Sequence, residues 1–156
     1  MREGDEPSKG KGRHSRTVLV VDDSTLIRQR LISTLGRIEG VDVVGEAEDV
    51  DGALLLCKEL EPDVVTLDIM MQGRNGIDFL VELRKTALRP KVIVLTNYPY
   101  PAFRRRCQEL DVDAFLNKAT ELDQVEARIF PNGSTGLDGP KPGSPEESRE
   151  DEGSPG

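Results

Sequence analysis

The sequence predicts a doubly wound α/β domain, and three observations carry that prediction. Five short apolar runs alternate with five stretches whose apolar residues recur at helical spacing. The runs are too continuously apolar for strands with one solvated face, so they read as strands buried on both sides. The alternation is confined to residues 17–130, between two ends of quite different composition. Strand–helix alternation implies a parallel sheet, and right-handed crossovers then place helices on both of its faces.

The elements follow in order. TVLVV (17–21) is a β-branched strand. Residues 26–38 place Ile27, Leu31, Leu35 and Ile38 on one helical face, with Ser24 as N-cap. VDVVGEA (41–47) is a second strand. Ala53, Leu56, Cys57 and Leu60 share a face of a second helix over 50–60, with Asp49 as N-cap and Pro62 closing it. DVVTLD (63–68) is a third strand. Ile77, Leu80, Leu83 and Ala87 mark a third helix, ended by Pro90. KVIVLT (91–96) is a fourth strand. Phe103, Cys107 and Leu110 set a fourth helix, DAFLN (113–117) a fifth strand, and Leu122, Val125 and Ile129 a last helical stripe.

The ends of the chain read differently. Residues 1–16 carry five basic and three acidic residues, with Met1 as the one apolar side chain; residues 131–156 carry two basic and six acidic residues among Gly, Pro and Ser. Neither stretch can bury enough apolar surface to offset an ordering entropy of about 1–2 kcal/mol per residue, so both are expected to be disordered. His14 belongs to the basic arm as a solvated residue. The net charge of −8 divides into +2 for the arm, −6 for 17–130 and −4 for the tail. That balance argues against a nucleic-acid partner, which requires a positive footprint. No run reaches the roughly 18 apolar residues of a membrane span, and no signal peptide opens the chain; a cytoplasmic location without a membrane partner is expected. Cys57 and Cys107 read as small apolar fillers, too few for a disulfide framework or a zinc site.

In an open α/β sheet the ligand crevice lies beyond the carboxyl ends of the strands, where strand order reverses. Asp22 and Asp23 end the first strand, Asp68 the third and Thr96 the fourth, while Lys118 follows the fifth. Each has an ordinary explanation alone: a turn-forming Asp, a β-prone Thr, a solvated Lys. Together they place three carboxylates on one rim, and such a cluster requires a cation or must protonate. An oxygen-only set suits Mg²⁺ or Mn²⁺. A hydroxyl and an ammonium beside it are what a phosphoryl group needs.

At these residues the sequence resembles the receiver domain of two-component response regulators, the CheY-like fold. VLVVDDS, VVTLDIMMQGRNGIDFL, VIVLTN and DAFLNKA carry the resemblance, which covers all of 17–130; Gly76, eight residues after Asp68, matches the family's loop glycine. The resemblance implies a flavodoxin-like five-stranded sheet of order 2-1-3-4-5. It implies that Asp68 accepts a phosphoryl group from a phosphohistidine on a histidine kinase or phosphotransfer protein. Asp23 would bind Mg²⁺ directly, Asp22 mostly through water, and Met70 through its backbone carbonyl. Lys118 and Thr96 would bind phosphoryl oxygens, and Phe115 would hold the aromatic switch position. Met70, Asn97 and Tyr98 would form the rim. The bulk of Met70 and Tyr98, with no carboxylate or amide to orient water, implies a long-lived phosphoryl group.

Four positions depart from the commonest family pattern: Gln72 and Ala119 where proline is frequent, Asn97 where a small residue is frequent, and Phe115 in place of Tyr. Without proline, a cis Lys118–Ala119 bond would cost about 3–4 kcal/mol. Asn97 could crowd the approach to Asp68. Three arginines, Arg104 to Arg106, read either as solvated helix charge or as part of a docking or homodimer face made of the fourth helix, fifth strand and last helix. The expected function is a single-domain response regulator, not an enzyme beyond its own phosphotransfer and dephosphorylation, signalling through contact with a downstream protein. The other classes are a scaffold that works without phosphorylation and an Asp-nucleophile phosphohydrolase.

Overall fold

The computed structural model describes residues 15–71 and 73–131; the expectations for the arm up to His14, for Gln72 and for the tail from residue 132 lie outside those residues. The elements are β1 (Arg16–Val21), α1 (Thr25–Gly36), β2 (Val41–Ala47), α2 (Val50–Leu60), β3 (Val64–Leu67), α3 (Gly76–Arg84), β4 (Lys91–Thr96), α4 (Pro101–Glu109) and β5 (Ala114–Asn117). A 3₁₀ turn (Leu122–Gln124) then leads into α5 (Val125–Ile129). The strands form one parallel sheet in the order β2-β1-β3-β4-β5. This is the order 2-1-3-4-5 of a doubly wound, flavodoxin-like fold, and it reverses between β1 and β3.

Strand periodicity divides the core in two. Leu19, Val21, Val65, Leu67, Val92 and Val94 pack with α2, α3 and α4 residues such as Ala53, Cys57, Phe79, Leu83 and Cys107. Their neighbours Val18, Val20, Val64, Ile93 and Leu95 point the other way, onto Leu31, Leu35, Val125 and Ile129 of α1 and α5. Because consecutive side chains alternate between faces, a strand covered on both sides is apolar at nearly every interior position. β2 departs from that expectation. It is an edge strand, and Asp42 and Glu46 are exposed along it.

Several boundaries move for local reasons. Arg16, placed in the disordered arm by composition, is the first residue of β1: its N–H donates to the Gly40 carbonyl at 2.7 Å and its guanidinium lies over the Phe130 ring. α1 stops at Gly36, two residues short of Ile38, as the Arg37 cap N–H turns back onto the Leu35 and Thr34 carbonyls. Ile38 still packs against the core. α3 stops at Arg84 and never includes Ala87. The Thr86 hydroxyl donates to the Leu83 carbonyl at 2.7 Å and accepts from Leu88 N–H at 3.1 Å, closing a side-chain turn in place of a further helical one. On α2, Leu60 is 40% exposed rather than part of the buried face. Ser24 and Asp49 cap α1 and α2 as expected, accepting from Ile27 and Gly52 N–H.

Candidate functional site

The reversal between β1 and β3 brings two strand ends side by side. Asp22 N–H still bonds the Ala47 carbonyl and Asp68 N–H bonds the Val21 carbonyl, so both aspartates leave the sheet on its last rung. Asp22 and Asp68 are buried and Asp23 is partly so; one carboxylate oxygen from each lies within 4.8 Å of the others. Lys118 reaches them from the loop after β5. Its ammonium donates to Asp22 Oδ2 at 2.5 Å and stands 3.6 Å from Asp68 Oδ2, and its side chain is only 10% exposed. Residues 22 and 118 are thus joined across 96 positions of sequence.

Burial sets the electrostatics. It pushes the Asp68 carboxyl up to about 6, against the opposing pull of Lys118; Asp22 raises it further, the Met70 N–H lowers it and Asp23 raises it. The Lys118 ammonium stands between two of the three carboxylates, Asp22 and Asp68. The site's donors are all oxygens, a chemistry that fits a hard divalent cation such as Mg²⁺ or Mn²⁺.

Local structure holds each part in place. Asp22 Oδ1 accepts from Ser24 N–H at 2.9 Å, and Asp68 Oδ1 accepts from Met70 N–H at 3.3 Å. Gly76 opens α3 directly beneath Asp68. Its N–H bonds the Ile69 carbonyl at 2.8 Å, and a Cβ there would stand 2.6 Å from the Asp68 carbonyl oxygen. Only glycine permits that approach. The Lys118 loop is built by Asn117, whose side-chain oxygen accepts from Ala119 and Thr120 N–H at 2.8 and 3.2 Å, while Glu121 accepts from Asn117 N–H at 2.8 Å. No cis peptide occurs among the described residues, so the Lys118–Ala119 bond is trans. An Asx turn at Asn117 thus carries Lys118 into the site on a trans bond.

Thr96 is fully buried at the end of β4, where its hydroxyl oxygen accepts from Tyr98 N–H at 3.0 Å and leaves its own proton free to donate. Lys118 N–H bonds the Thr96 carbonyl at 2.8 Å, coupling the two loops. Asn97, Met70 and Tyr98 are exposed around the rim, the last two by 44% and 45%. Phe115 lies inside, 9% exposed, with the Arg104 guanidinium 4.6 Å from its ring centroid. Of the three arginines, Arg104 therefore covers Phe115, Arg106 pairs with Glu109 at 3.2 Å, and Arg105 is exposed.

Sequence reasoning missed three supports. Arg28 is buried and bonded to the Asp22 carbonyl. Asn75 and Asp78 form a capping box that fixes the start of α3, a signal legible as Asn-x-x-Asp. Arg84 donates to the Leu110 and Asp111 carbonyls at 2.8 and 3.0 Å and ties α3 to the end of α4. Neither arginine has a spacing that would have announced it.

Comparisons with known proteins agree with this geometry. The family model described as "response regulator receiver domain" matches residues 18–130. The response regulator GacA of Pseudomonas aeruginosa is 34% identical over 112 residues, covering 72% of this chain and 52% of that protein. A protein-glutamate methylesterase/protein-glutamine glutaminase of Myxococcus xanthus is 45% identical over 80 residues, 51% of this chain and 23% of that one. The chain thus spans about half or less of the curated relatives it matches. Among solved structures, the receiver domain of NarL from Mycobacterium tuberculosis aligns with a TM-score of 0.70 at 28% identity, over 80% of this chain and 99% of that one. The response regulator domain of Thermotoga maritima CheB aligns at 0.67 and 30% identity, over 76% and 92%. A matched span that runs from the first strand to the last helix, over a sheet of the same order, places this chain in the response regulator receiver domain family.

Proposed function

We propose that Asp68 accepts a phosphoryl group from a phosphohistidine of a histidine kinase or phosphotransfer protein, and that the phosphorylated domain signals by contact with a downstream protein. The observation that carries this reading is the Lys118 ammonium set between Asp22 and Asp68 beside Asp23 at the carboxyl rim. In this reading the Asp68 carboxylate attacks phosphorus, an O–P bond forms, the P–N bond breaks and the imidazole leaves. Asp22, Asp23, Asp68 and the Met70 carbonyl would hold Mg²⁺ or Mn²⁺, which supplies charge neutralisation for the incoming phosphoryl oxygens. Lys118 is already within reach of Asp68 and binds one oxygen of the product. Thr96 gives its free hydroxyl proton to another.

The new charge of about −1.5 to −2 then biases the loops that Thr96 and Lys118 share, with Phe115 as the buried readout between β5 and α4. The face of α4, β5 and α5 is the surface we assign to partners or to a second copy of the chain. The protein works in the cytoplasm in this scheme, and its chemistry is confined to its own phosphotransfer and dephosphorylation. Among the described residues no helix is long and apolar enough to cross a membrane.

Incubation with acetyl phosphate and Mg²⁺, followed by intact-mass measurement, tests the reading. A gain of one phosphoryl group that Asp68→Ala abolishes supports it. No gain would favour a scaffold that works without phosphorylation, and turnover of phosphomonoesters would favour a hydrolase.

A further inference from the structure

We propose that Arg28 is a positioning residue for the acidic site. Its guanidinium anchors the turn that carries Asp22 and Asp23, keeping the pair in register with Asp68. The inference rests on the reading that this site takes a divalent cation.

Arg28 lies on α1 and is 8% exposed, a burial that a charged side chain tolerates only when paired. Its Nε donates to Glu46 Oε1 at 2.6 Å, its Nη1 to the Asp22 carbonyl at 2.8 Å, and its Nη2 reaches Thr25 Oγ1 at 3.5 Å. Asp22 sits one residue beyond β1, where its N–H still bonds the Ala47 carbonyl of β2. Its other polar groups are held from outside the sheet: the Ser24 N–H donates to Oδ1, Lys118 to Oδ2 and Arg28 to the carbonyl.

The three carboxylates repel one another, and Lys118 neutralises one charge. A turn with nothing on its carbonyl would relieve that repulsion by rotating Asp22 and Asp23 away from Asp68. The guanidinium fork resists the rotation because it grips Asp22 and the neighbouring strand β2 at once. A lysine, with a point charge and no fixed fork, cannot span both.

The sign of the effect separates positioning from simple charge. Arg28 is a cation beside an anionic site, so by Coulomb attraction alone its removal should tighten the binding of another cation. Positioning demands the reverse. The full chain is titrated with Mn²⁺, with the free ion followed by electron paramagnetic resonance. We expect Arg28→Ala to weaken binding about tenfold or more, in the range seen when residues that orient metal ligands are lost. Arg28→Lys keeps the charge and should still weaken binding severalfold.

Glu46 supplies a pair of variants that fold regardless, since its side chain is half exposed. Glu46→Ala and Glu46→Gln lose the same charge, but only the glutamine keeps an acceptor for the fork, so Glu46→Ala should bind Mn²⁺ more weakly than Glu46→Gln. If the Arg28 variants bind as tightly as wild type, or tighter, or if the two Glu46 variants are equal, the proposal is overturned. A wild type that binds Mn²⁺ yet takes no phosphoryl group overturns the phosphoacceptor reading and leaves the Arg28 comparison to be decided by these titrations. A wild type that binds no Mn²⁺ overturns both.

Discussion

Aspartates stand at both ends of this sheet, and they live under opposite conditions. At the amino rim, Asp63 precedes β3 and accepts from the Thr17 N–H at 2.8 Å and the Thr17 hydroxyl at 3.1 Å. Asp113 precedes β5 and accepts from Val92 N–H at 2.8 Å. Each binds a neighbouring strand and stands apart from the acidic cluster. At the carboxyl rim one carboxylate oxygen from each of Asp22, Asp23 and Asp68 lies within 4.8 Å of the others, with Lys118 between Asp22 and Asp68. The same residue type at the same kind of place is a structural clasp on one edge and part of an acidic cluster on the other. What separates them is convergence. A strand-end Asp that meets one neighbouring donor closes the edge, whereas three that meet each other concentrate a charge that a cation or a proton must relieve.

The sharpest way to break this comparison is to remove the Lys118 ammonium from the crowded rim. Lys118→Ala should lower the rate of Asp68 phosphorylation by about 10²–10³-fold, the cost of losing a charge-stabilising donor. A rate near wild type, read by intact mass against time, would mean the ammonium is merely structural.

Next in size is the burden that burial places on Asp68. Its carboxyl is raised from 3.8 to about 6, so between about pH 4 and 6 the folded state holds a proton that the unfolded state has released. Stability therefore falls as pH rises through that window, and the full deficit persists above it. Asp68→Asn should accordingly be more stable than wild type by about 1–3 kcal/mol at pH 8 without divalent cations. The advantage should fade toward pH 4. Denaturant melts at the two pH values measure it, and a pH-independent difference would refute burial as the cause.

On the clasp rim the expected effect is smaller and of the other kind. Asp63→Ala loses its bonds to Thr17 and should cost about 1–2 kcal/mol in the same melts, with phosphoryl uptake by the folded protein unchanged. Any loss of uptake would blur the distinction between the rims. The smallest effect belongs to the exposed margin of the site. Tyr98→Asn places an amide able to orient water where a bulky ring now stands, and the phosphoryl group should be lost a few-fold faster. An unchanged decay of the phosphorylated mass would dismiss the shielding role of Tyr98.

Much of this was readable along the chain. The strands announced themselves because burial on both faces makes the middles of β1, β3 and β4 almost wholly apolar, Thr66 being the polar exception. The site residues announced themselves because chemistry in a parallel sheet gathers where strands end. The resemblance of VLVVDDS and DAFLNKA to receiver domains then ordered them. What resisted reading was the side-chain hydrogen bonding and packing that apolar spacing does not report. Thr86 ended α3 by a local turn. Phe115 gave no hint of the Arg104 guanidinium above its ring, and Asn117 gave none of the turn that carries Lys118 on a trans bond.

The sequence by itself determined which residues are apolar, where the chain must turn and which side chains carry reactive groups, because those are properties of single residues and their near neighbours. Only the tertiary structure decided that Lys118 would meet Asp22 across 96 positions, that Arg28 would grip its carbonyl, and that Asp63 would be spent on Thr17. Those outcomes depend on strand order and register, which bring together groups that no local pattern connects.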